Sequence, residues 1–90
     1  MTEDRFVSEQ REQIGAIDRE LLDAFNRRLE VVRRLHDYKL ANGIPLRDPG
    51  REESLLKALV EANGGPLSVQ GVEALFHEVL ALTRKELHGE

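Results

Sequence analysis

The chain has no cysteine and only four aromatic residues, Phe6, Phe25, Tyr38 and Phe76. Without cysteine there can be no disulfide, no thiolate metal site and no cysteine nucleophile. With so few aromatics, aliphatic side chains must supply most of any core. Positive charge is not in excess: 13 basic residues face 17 acidic ones, a formal charge of −4. That balance argues against a general nucleic-acid binder. No apolar run approaches the ~20 residues of a membrane span. The opening segment MTEDRFVSEQREQ also lacks the apolar centre of a signal peptide. The expectation is a cytoplasmic protein with neither nucleic acid nor membrane as partner.

At 90 residues the chain is one small domain, 1–90, with little material for burying a core unaided. Between Asp4 and Asn42 there is no proline, and the only glycine is Gly15. Over that stretch Ile14, Ile17, Leu21, Phe25, Val32 and Leu35 recur at helical spacing, and Leu22, Leu29 and Val31 widen the stripe. A helix is therefore expected over about 4–42, a rod of roughly 50 Å. Gly15 costs it about 1 kcal/mol against alanine. Asn42-Gly43 followed by Pro45 is a helix stop.

Asp48 as N-cap with Pro49 behind it opens a second helix over about 49–63, with Glu52 and Glu53 favoured by its dipole. Leu55, Leu56, Leu59 and Val60 form its apolar face, and Asn63-Gly64-Gly65-Pro66 closes it. Ser68 caps a third helix over about 68–87, striped by Val72, Leu75, Phe76, Val79, Leu80 and Leu82. The fold class is all-α, one long helix and two shorter ones. The short helices can cover only part of the long one, so its remaining stripe calls for a second copy laid antiparallel. A monomer with a frayed N-terminal half is the alternative.

At about 100° per residue, Arg28, Val32, Leu35 and Lys39 fall within about 60° of one another over roughly 16 Å of axis. Cation, aliphatic, aliphatic, cation suits a compact molecule with an apolar middle and an anionic group towards each end. From spacing alone the plainer reading is that Arg28 and Lys39 snorkel at the edge of a packed stripe. Arg27, Arg33 and Arg34 make the same segment locally cationic. Arg11 lies some 25 Å away along the axis and about 100° round, so it can serve that groove only from an antiparallel partner. Asp48 and Glu52 stand four apart across a helix start, where acceptors can converge on a hydroxyl. They also suit plain capping and dipole roles.

His36, His77 and His88 share no metal-ligand spacing, and there is no G-x-S-x-G and no glycine-rich phosphate loop. An enzyme built from these residues must work by placement and charge stabilisation, without a cofactor.

Arg11-Glu12-x-Ile14, Ile17-Asp18, Leu21-Leu22, Arg27-Arg28, Lys39, Pro45-x-x-Asp48 and Arg51-Glu52 before Leu55-Leu56 follow in an order that resembles the all-helical bacterial chorismate mutases. The resemblance runs from about Arg11 to Thr83. It implies an intertwined antiparallel homodimer that rearranges chorismate, a dicarboxylate, to prephenate in aromatic amino acid biosynthesis. By resemblance Arg28 grips one carboxylate and Arg11 of the second copy the other. Lys39 reaches a carboxylate and the breaking ether oxygen. Glu52 and the Asp48 backbone take the ring hydroxyl, Arg51 supports the site, Thr83 stands near a carboxylate, and Val32 and Leu35 floor the pocket.

One position departs from the family pattern. Leu87 stands where relatives carry a glutamine or glutamate that also donates to the ether oxygen, and neighbouring Glu86 points about 100° away on a regular helix. Either the last turn is irregular or Lys39 works alone. Some relatives are activated by a shikimate-pathway synthase, and the tail 87–90 could meet such a partner. An isochorismate pyruvate lyase and a non-catalytic regulatory dimer are the competing readings.

Overall fold

The computed structural model describes residues 4–88. It contains three helices, α1 (Arg5–Ala41), α2 (Pro49–Ala62) and α3 (Val69–His88), and no strand among the described residues. Each lies within two residues of its expected bounds. The ends form where the side chains dictate. Asp4 Oδ1 accepts from the Val7 amide at 3.1 Å, capping α1. Gly43 ends α1 in the left-handed region at φ 67°, and the Ile44 amide reaches back to the Lys39 carbonyl at 2.9 Å. Such a reverse bond needs a residue that tolerates positive φ, hence glycine. Asp48 accepts from the Arg51 amide at 3.1 Å with Pro49 in the first turn of α2, and Ser68 Oγ accepts from the Gly71 amide at 3.0 Å.

The chain divides into two compact units, residues through Arg34 and residues from Leu35 onwards. The first is α1 alone up to Arg34. Its apolar stripe is largely open: Phe6, Ile14, Ile17, Leu21 and Leu22 are each more than half exposed, and Phe25, Leu29 and Val32 are half-buried. The second unit holds the last turns of α1, the connector, α2 and α3, with α2 packed on α3. Leu55, Leu56, Leu59 and Val60 of α2 are half-buried, as are Phe76, Val79 and Leu80 of α3. Two α3 positions expected in the core, Leu75 and Leu82, are 48% and 44% exposed. A single neighbouring helix covers only one side of α3. Among the described residues only Val72 and Thr83 are buried outright.

Candidate active site

The first unit carries two of the expected cations. Arg11 is exposed and Arg28 half-buried, with Val32 half-buried one turn after Arg28. Nearby, Arg27 is committed to a surface ion pair with Asp23 at 3.0 Å, a pairing of helical neighbours that contributes little.

The second unit gathers most of the others. Lys39 is half-buried on the last full turn of α1, its ammonium 3.5 Å from the Leu46 carbonyl, so the connector folds back over it. Leu35, one turn earlier, is 48% exposed, an open apolar surface beside that cation. Asp48 is tied into the start of α2 twice, its Oδ1 accepting from the Arg51 amide and its carbonyl from the Glu52 amide at 3.2 Å. Arg51 is exposed, one residue before Glu52.

Glu52 is the best-organised acid of the unit. Its Oε1 lies 3.6 Å from Arg47 and its Oε2 3.4 Å from Arg84, so guanidinium groups from the connector and from α3 meet on one carboxylate. The Arg84 pair is the more sheltered. Side-chain exposure is 27% for Arg84 and 29% for Glu52, against 61% for Arg47. Screening by water therefore weakens the Arg47 contact more. The sequence reading did not single out Arg84. It lies 32 residues from Glu52, and the one local hint was a basic residue directly after Thr83.

Thr83 is buried at 5%, and its Oγ1 donates to the Val79 carbonyl of its own helix at 2.6 Å. That proton is engaged in the helix, so the hydroxyl oxygen is left chiefly as an acceptor. Serving a carboxylate would require the hydroxyl to turn. At the end of α3 the helix is regular through His88, with Leu87 half-buried and Glu86 exposed. The irregular last turn that would have swung Glu86 inward is absent. Gly89 and Glu90, the rest of the tail expected to meet a partner enzyme, lie outside the described residues.

Close by, the rings of His36 and His88 stack, with centroids 4.6 Å apart and planes 21° from parallel. His36 Nδ1 is buried with no hydrogen-bond partner. Burial holds the His36 imidazole below its ordinary 6.5, His88 and Lys39 add repulsion, and Asp37 opposes them. A shallow hollow of about 230 Å³ between α2 and α3 is lined by Leu59, Ala62, Asn63, Leu67, Val72 and Phe76. It has no charged group and cannot be the seat of a dianion. Among the described residues no helix is long and apolar enough to cross a membrane.

Residues 10–87 match the family model for chorismate mutase type II. The chain belongs to that family. Its fold is that of two solved structures of chorismate mutase from Thermus thermophilus. Both superpose with a TM-score of 0.85 at 26% identity over 88% of this chain, covering 90% and 99% of those chains. Curated relatives include the T-protein of Haemophilus influenzae, 36% identical over 64 residues, and a 4-amino-4-deoxychorismate mutase of Streptomyces venezuelae, 37% identical over 51 residues. The matched segments are 70% and 57% of this chain but only 17% and 50% of those proteins.

Proposed function

We propose that this protein is a chorismate mutase that converts chorismate to prephenate as a homodimer. The observation that carries the reading is the charge arrangement. A half-buried Lys39 stands beside an open aliphatic surface, and Glu52 is held ready by guanidinium groups, in a chain of the mutase family. The spacing of Arg28, Val32, Leu35 and Lys39 along the sequence is that of a helical face with a cation towards each end. Arg11 of a second, antiparallel chain completes the groove proposed along it. The open stripe of Phe6, Ile14, Ile17, Leu21 and Leu22 supports that pairing, since burying each such side chain is worth ~1.5–3 kcal/mol.

The reaction is unimolecular. The ether C–O bond breaks as a C–C bond forms between the enolpyruvyl methylene and the ring, and no proton enters or leaves. The groove must therefore hold the side chain over the ring and meet the negative charge that builds on the ether oxygen. Arg28 and Arg11 of the second copy fix the two carboxylates, which supplies the positioning. Lys39 faces the ether oxygen, where a cation favours the transition state over the ground state. Glu52 and the Asp48 backbone take the C4 hydroxyl, Arg51 supports them, and Thr83 stands near a carboxylate.

Glu52 also bears on substrate choice. A carboxylate already paired with Arg84, and more weakly with Arg47, is a good acceptor for a neutral hydroxyl and a poor counter-ion for an ammonium. Chorismate is accordingly preferred to its 4-amino-4-deoxy analogue. It is preferred to isochorismate too, whose hydroxyl is elsewhere on the ring. The test is to incubate the purified protein with each of the three and follow loss of substrate absorbance and the products formed. Prephenate from chorismate as the fastest reaction is expected; faster pyruvate release from isochorismate would reverse the assignment. Repeating the assay with a shikimate-pathway synthase present measures any activation by that partner.

A further inference from the structure

We infer that Arg84 is a catalytic residue, delivering from α3 the second hydrogen bond to the breaking ether oxygen that Leu87 cannot make. The inference rests on the mutase reading above.

Two observations and the role proposed for Glu52 converge on Arg84. It is half-buried, and its guanidinium is held against Glu52 Oε2 at 3.4 Å, from a helix 32 residues further along the chain. It precedes Leu87 by three residues, which on a regular helix puts it about 60° away and one turn back, on the same side of α3. Glu52 is the acceptor assigned to the C4 hydroxyl, and the ether oxygen is bonded to the adjacent ring carbon C3. A head group fastened to that acceptor is therefore within reach of the neighbouring oxygen. Guanidinium carries five N–H donors in a planar fork, so it can hold a carboxylate through one nitrogen and offer another to a second oxygen.

Electrostatics gives the pairing a purpose. As the C–O bond lengthens, negative charge grows on an oxygen next to the Glu52 carboxylate. A lone carboxylate there would oppose the reaction. Arg47 is too exposed to cancel it fully. Arg84, sheltered and in contact with Glu52, cancels the carboxylate and presents a charged donor to the same oxygen. Charge-assisted hydrogen bonds are stronger than those from a neutral amide, so an arginine here is an adequate substitute for the missing side chain at 87.

The test compares wild type, Arg84→Ala and Arg84→Ala/Leu87→Gln in steady-state chorismate turnover, with helix content and dimer mass checked for each. Arg84→Ala is expected to lose about 10²–10³ in kcat with KM changed far less, as for removal of one donor to a developing oxyanion. Adding Leu87→Gln should recover at least about tenfold of that loss, because an amide then supplies the missing bond. If kcat of Arg84→Ala stays within about threefold of wild type, the assignment is wrong. It is equally wrong if Leu87→Gln recovers nothing in a folded dimer, for Arg84 would then only tie α2 to α3. Should alanine fail to fold, Arg84→Met keeps the bulk without the donors and is judged by the same thresholds. A wild-type protein that leaves chorismate untouched overturns the mutase reading itself; an active wild type with an indifferent Arg84→Ala overturns this inference alone.

Discussion

At the scale of single residues the proposed chemistry rests on a few cations. Arg28→Ala and Lys39→Ala should each lower kcat/KM for chorismate by about 10²–10³ or more, since each removes a charged donor from the dianion or its transition state. Circular dichroism should show both variants as helical as wild type; turnover close to wild type in either would remove the proposed mechanism. Arg28 and Lys39 stood out in the sequence through their helical spacing, and Asp48 and Glu52 through their place at a helix start, because both patterns are local; the roles proposed for them came from the family resemblance. Arg84 did not stand out, because its meaning comes from an ion pair with Glu52 that only the packing of α3 on α2 creates. The resemblance pointed to Thr83 as a position, and the sequence said nothing of the state of its hydroxyl. The bond from its hydroxyl to the Val79 carbonyl is invisible until the side chain is placed.

At the scale of elements the sequence was most informative, because helix ends are set by a handful of residues. Asp48-Pro49, Ser68 and Asn42-Gly43 marked their boundaries through hydrogen bonds that involve only near neighbours. Gly43→Ala should cost roughly 1–2 kcal/mol in urea unfolding, since φ 67° crowds any Cβ against its own carbonyl. The faces of the helices were less legible than their ends. Leu75 and Leu82 have core spacing yet stay 48% and 44% exposed, because periodicity reports an apolar side without saying whether anything lies against it. Near the end of α1, the burial of His36 brings a pH dependence. His36 is held below 6.5 mainly by burial, so the folded chain binds its proton less readily than the unfolded one. Stability from this source is complete above about pH 6.5 and declines as pH falls towards the depressed folded value. Thermal unfolding followed from pH 7.5 down to about 5.5 should show a falling midpoint, and His36→Gln should flatten that part of the profile. An unchanged slope in the variant would assign the dependence to other groups.

At the scale of the whole molecule the expected assembly is a pair of chains, and the sedimenting mass should be twice the 10.2 kDa of one. Leu21→Glu, on the open stripe of α1, should shift that mass towards a single chain and lower activity with it. The pockets proposed to be shared between two chains allow a stricter test. Arg11→Ala and Lys39→Ala are each expected to be nearly inactive, but when the two are mixed and re-paired, one pocket of every hybrid receives all its residues. Activity should then return to about a quarter of wild type, from half the pairs being hybrid and half their pockets sound. No recovery after proven exchange would mean that each chain builds its pocket alone. Only Val72 and Thr83 are buried outright among the described residues, so a solitary chain has little to keep it folded. Where the protein is scarce enough for most chains to be solitary, metabolic flux through it should climb with the square of its abundance instead of in proportion.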